Sequence, residues 1–161
     1  MTYAKGISLI HFIVPPTYEA KFNRQRLEDI AKTTISKAID EANCSFSLRL
    51  TNNQGIRSLN RDYRGIDQAT DVLSFPIGFD DPETGSFYLG DIIISLTMAN
   101  KQATQSNTTL QAELEMLMVH GILHLCGYDH DTVENYAAMS NLQDDILQSV
   151  QNPLTGSIHA Q

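Results

Sequence analysis

The stretch "HGILHLCGYDH", residues 120–130, constrains this chain more than any other. On an α-helix, residues four apart lie about 40° apart around the axis, so His120 and His124 present their imidazoles on one face, one turn apart. Two rings so placed can grip one ion together. Gly127 can take the left-handed conformation that ends a helix, and the returning chain then brings His130 to the same point. Three imidazoles with a fourth position open to water form the layout of a catalytic zinc site, whereas structural sites are closed by four protein ligands. His11, in a run that reads as a strand, and His159, near the end of the chain, lack such company and read as ordinary residues. Cys126 lies two residues past His124, about 200° round the helix, and is expected to face the core. Cys44 is distant in sequence, so no disulfide framework is expected and both cysteines read as reduced, small apolar residues, a metal-proximal role for Cys126 being the alternative.

The spacing is that of the long zinc-peptidase signature H-E-x-x-H-x-x-G-x-x-H, with Gly121 where the glutamate belongs. That carboxylate acts as a general base, help typically worth roughly 10²- to 10⁴-fold, so a working peptidase is not expected here. Zinc alone lowers the pKa of its water to about 7, which keeps a nucleophile available at neutral pH. The missing carboxylate favours a substrate that is already anionic, such as a phosphodiester. Such a substrate needs a cation nearby.

The run "GIRSLNRDYRG" offers one. Arg57, Arg61 and Arg64 follow at steps of four and three and line one face of a short helix. Surface pairing with Asp62 or Asp67 accounts for Arg57 and Arg61. Arg64 differs: it stands at the helix end, before the loop into "TDVLSFP", where a guanidinium can reach across a cleft to phosphate in bidentate fashion. Charge is unevenly spread around these residues. Positions 1–101 hold all 11 basic residues against 12 acidic ones, while positions 102–161 hold 7 acidic residues and no Lys or Arg. An anionic substrate must therefore be held by the first part of the chain or by a metal. The overall net charge of −8 excludes bulk electrostatic coating of nucleic acid, and no DNA partner is expected.

The remaining pattern fixes the fold class. Residues 5–14 read as a first strand, Pro15-Pro16-Thr17 as a break, and an apolar face of Leu27, Ile30, Ala31, Ile35, Ala38 and Ile39 as a helix running to about residue 41. "CSFSLRLT" alternates as a half-buried strand. Asn52-Asn53 and Gly65 bracket a helix at about residues 54–64. Residues 70–76 read as a short strand closed by Pro76, residues 88–96 as another strand, and residues 110–126 and 132–150 as helices. The class is α+β, with a mixed sheet of about four strands. Length points to one domain over residues 1–161, with 152–161 a loose tail. No run reaches the roughly 18 apolar residues of a membrane helix. The opening stretch lacks a small-x-small cleavage site, so a cytoplasmic protein is expected.

These residues resemble a known family. His120 to His130 matches the H-G-x-L-H-L-x-G-Y-D-H signature of the YbeY family, the bacterial rRNA maturation factors, at every specified position. "LNRDYRGIDQATDVLSFP" and "LGDIIIS" are similar to the family's second and third motifs, so the resemblance spans roughly residues 59–146. One departure is Ala69, where many members carry proline, which bears on the rigidity of that loop. The resemblance implies a zincin-like single domain and a metal-dependent endoribonuclease, specific for single-stranded RNA, that matures the 16S rRNA 3′ end and acts in ribosome quality control. It implies one zinc ion on His120, His124 and His130, Arg64 as the substrate-phosphate residue, and the ribosome or its proteins as partners. Asp71 and Asp129 are the nearest candidates for a general acid, or for orienting a histidine. Tyr63, Phe79 and Tyr88 can stack on bases or fill the core. Two other readings remain: a zinc hydrolase of a peptide or ester bond, and a non-enzymatic zinc-stabilised assembly module. Three imidazoles would also accept nickel or copper.

Overall fold

The computed structural model describes residues 9–39 and 43–151, so the start of the expected first strand and the tail from 152 lie outside the described residues. The alternation of Phe46, Leu48 and Leu50 produces strand β2 (Cys44–Thr51), as the pattern predicts. With β1 (Ile10–Ile13), β3 (Val72–Asp80) and β4 (Phe87–Ser95) it forms a four-stranded sheet in the order β1-β2-β4-β3. The first two pairings are parallel and β4 with β3 is antiparallel, so the expected mixed sheet is found. β3 does not stop at Pro76. It is an edge strand, so a residue with no N–H is tolerated, and the strand runs on through a register shift to Asp80.

Five helices complete the domain among the described residues: α1 (Arg24–Ala38), α2 (Asn53–Arg64), α3 (Leu96–Gln105), α4 (Leu110–Leu125) and α5 (Val133–Gln151). α2 has the expected ends: the Asn52 side chain accepts from Gly55 N–H, and Gly65 stops the helix at φ 71°. α1 ends earlier than expected, because Ile39 is already extended at φ −143°. The Pro15-Pro16 break leads into a 3₁₀ turn, Pro16–Lys21. α3 was not foreseen in the sequence. Its signal is there: Ser95 caps it by accepting from Met98 N–H, and Leu96, Ala99 and Ala103 bury one face.

One face of the sheet, with Ile10, Phe46, Leu48, Ile92 and Ile94, packs on α1 and α4 to make the main core. Each such side chain removed from water contributes about 1.5–3 kcal/mol. α2 crosses the opposite face, seating Ile56 on Leu73 and Ile93. α4 touches α1, α3, α5, β3 and β4, and is buried nearly all round. Even its acid Glu115, 2 % exposed, is neutralised by Arg26 of α1 at 2.6 Å. The helix that carries two of the histidines is thus the most enclosed of the five helices.

Candidate active site

α4 holds His120 and His124 one turn apart and then ends. Cys126 N–H closes onto Ile122 C=O, Gly127 turns the chain at φ 97°, and Tyr128 N–H returns to Leu123 C=O. The reversal brings His130 back to the helix. The Nε2 atoms of His120 and His124 stand 3.2 Å apart, and one ligand atom from each of the three histidines lies within 4.8 Å of the others. His124 Nδ1 is 3.0 Å from Tyr128 C=O, which can only accept, so the proton sits on Nδ1 and the Nε2 lone pair is free. His120 Nδ1 meets Gln143 Oε1 at 2.9 Å with the same result. Burial, aided by charge on His120, holds the His124 pKa below its ordinary value, so the ring is the neutral ligand form. Two lone pairs converging at this distance, with a third imidazole beside them, fit a divalent cation of the zinc type.

Cys126 packs against the main core, and burial pushes its thiol up to about 11. It is an apolar residue here, as its place on the helix predicts, and stands outside the histidine cluster.

The three histidines open into a cleft of about 500 Å³, whose other wall is Arg64 and the edge of β3. Arg57 pairs with Asp67 at 2.8 Å and Arg61 with Asp62 at 3.1 Å, as expected of a solvated face. Arg64 stands apart. Its Nη2 donates to Ser74 C=O at 3.0 Å and its guanidinium lies 5.6 Å from the Phe75 ring centre, which leaves other N–H groups for an anion.

Asp71 and Asp129 also line the cleft, but neither orients a ring. Asp71 accepts from Val72 N–H at 2.8 Å and from Gln102 at 3.3 Å, and Asp129 from His130 N–H at 2.7 Å. The orienting groups are the Tyr128 carbonyl and Gln143, which the sequence reading missed. The signal for Gln143 is slight: a polar residue on the inward stripe of α5, between Met139 and Ile146. The aromatic candidates lie elsewhere. Tyr63 packs edge-on to Phe75 and Phe79 packs on Tyr88, and none of the three stacking candidates lines the histidine cleft.

Gly121 has a packing reason as well as a chemical one. A Cβ there would lie 2.9 Å from Ile92 Cγ2 and 3.1 Å from Ser74 Oγ, so helix and sheet approach too closely for a side chain without rearrangement.

A family model described as Endoribonuclease YbeY matches residues 16–151. An endoribonuclease YbeY of Sulfurihydrogenibium sp. is 43% identical over 136 residues, 83% of this chain and 87% of that one. Its counterpart from Persephonella marina is 38% identical over 134 residues, 81% of this chain and 88% of the other. The solution structure of a Thermotoga maritima protein superposes with a TM-score of 0.59 at 27% identity, covering 92% of this chain and 93% of that one.

Proposed function

Because the chain belongs to the endoribonuclease YbeY family, we propose that its histidine cleft hydrolyses phosphodiester bonds of single-stranded RNA. The observation that carries the reading is the convergence of three imidazoles and the Arg64 guanidinium on one cleft. His120, His124 and His130 hold one zinc ion. Bound there, the ion supplies Lewis acidity toward water and a phosphoryl oxygen. Arg64, fixed through Ser74 C=O, turns its remaining N–H groups to the phosphate and stabilises the charge that grows on its oxygens. Gln143 and the Tyr128 carbonyl keep the imidazoles in the binding tautomer. A proton released by the attacking water would reach the leaving oxygen through a carboxylate on the rim, for which Asp129, exposed with one oxygen bonded to His130 N–H, and Asp71 are the candidates.

The substrate in the cell is the precursor of 16S rRNA at its 3′ end, with a part in ribosome quality control and contact with the ribosome or its proteins. The whole chain acts as one domain in the cytoplasm. This fits a chain in which, among the described residues, no helix is long and apolar enough to cross a membrane. Zinc-loaded protein incubated with single-stranded RNA and with denatured casein tests the reading. RNA is expected to be cut, and the cutting lost in His124→Ala; casein cleaved while RNA stays intact would sink it.

A further inference from the structure

The geometry points to a specificity device in the wall of the cleft: Asp71, Arg64 and Pro76 together close the outer edge of β3, so that an extended peptide cannot add there as a further strand. β3 ends the sheet, and its residues Val72, Ser74 and Pro76 line the histidine cleft. In an antiparallel pair, alternate residues send both main-chain groups to the partner strand. Ser95 N–H bonds Asp71 C=O, so Asp71, Leu73 and Phe75 face β4, while Val72, Ser74 and Pro76 face outward.

An unpaired edge normally offers an N–H and a C=O at each outward residue, and extended peptides are captured by exactly these groups acting in pairs. Here each outward residue has lost one of its two. Val72 N–H is taken by the Asp71 carboxylate at 2.8 Å, Ser74 C=O is taken by Arg64 Nη2 at 3.0 Å, and Pro76 has no N–H. A peptide laid along this edge would have to displace a carboxylate and a guanidinium, and would still find no donor at Pro76. Each bond left unmade in a closed contact costs on the order of tenfold in affinity. A phosphodiester strand needs none of these groups, because its backbone is held by cations. The same Arg64 thus serves twice: it blocks the ladder and faces the anion.

The inference rests on the proposed hydrolytic cleft for what is being excluded, and the experiment separates the two. Acetohydroxamate, which engages a metal but no strand, and the same hydroxamate on an extended N-acetylated tripeptide are titrated against the zinc-loaded full-length protein. The two affinities are expected within about threefold of each other in the wild type. In Asp71→Ala/Pro76→Val the tripeptide compound is expected at least about tenfold tighter than acetohydroxamate, whose own affinity is unchanged. A tripeptide advantage of about tenfold already in the wild type overturns the inference, and so does a double variant that shows no gain. If acetohydroxamate binds neither protein, the metal reading fails, and the edge is decided by amide NMR shifts at Val72 and Ser74 with the N-acetylated tripeptide amide. Saturable shifts in the double variant alone support closure; such shifts in the wild type, or in neither protein, overturn it.

Discussion

The sheet carries a cleft on each face, similar in size and opposite in character. The histidine cleft is about 500 Å³; the other, about 440 Å³, is walled by Ile13, Leu59, Tyr63, Phe75 and Ile77. The apolar cleft has polar groups too, Ser47, Asp91 and an exposed Arg49, and the first two are tied up by the neighbouring Tyr88. The Tyr88 hydroxyl donates to Asp91 and pairs with Ser47, and burial, aided by the Asp91 carboxylate, pushes its pKa up to about 12. In the histidine cleft the Nε2 lone pairs and part of the Arg64 fork are unspent. What separates the clefts is that one brings imidazole lone pairs and a guanidinium together while the other holds a lone exposed cation among apolar side chains, and volume does not report this.

The sharpest way to break this contrast is substitution on both sides. His124→Ala is expected to lower the RNA cleavage rate by about 10³-fold or more, with loss of bound zinc by elemental analysis, while Tyr63→Ser in the apolar cleft stays within about twofold. An equal loss in both would end the distinction. Next in size, Arg64→Ala should lower kcat by roughly 10²- to 10³-fold. Arg64→Lys should recover little, because a single ammonium cannot hold Ser74 C=O and a phosphate in the same forked geometry. Gln143→Leu leaves every ligand in place, so its effect belongs to orientation: zinc affinity measured by chelator competition should fall about 10- to 100-fold. Gly121→Glu is expected to cost about 1–3 kcal/mol in chemical denaturation through overpacking on Ile92, without bringing casein hydrolysis.

The smallest effect concerns Glu113, 7 % exposed on α4, whose pKa is raised by burial and then by the charge of Asp71. A carboxyl raised in the folded state favours folding while it is protonated. Its contribution is lost as pH climbs through the unfolded value near 4.5 toward the folded one. Glu113→Gln should therefore raise the thermal midpoint at pH 7 and leave it nearly unchanged at pH 4, checked by melts at the two pH values.

The triad was legible because its geometry is local. Two helical positions and one helix-ending glycine determine where three rings meet, and no other part of the chain need be known. The ends of α2 were legible for the same reason, since Asn52 and Gly65 act on their own neighbours. What escaped depends on distant packing. Gln143 reaches His120 because α5 lies on α4, and nothing within thirteen positions of His130 announces it. The continuation of β3 past Pro76 follows from its place at the edge, a property of strand order. α3 was obscured by the apolar run of β4 that flows into it, although Ser95 marked the boundary. Gly121 was read as chemistry alone because Ile92 and Ser74, which crowd it, come from strands far away in sequence.

All three histidines precede α5, yet one of them is aimed by a residue in the middle of that helix. Docking of α5 and capture of an ion are therefore linked: whatever frays the helix loosens the centre, and a filled centre holds the helix down. Slow amide exchange along residues 133–151 becomes a gauge of occupancy, readable without any substrate.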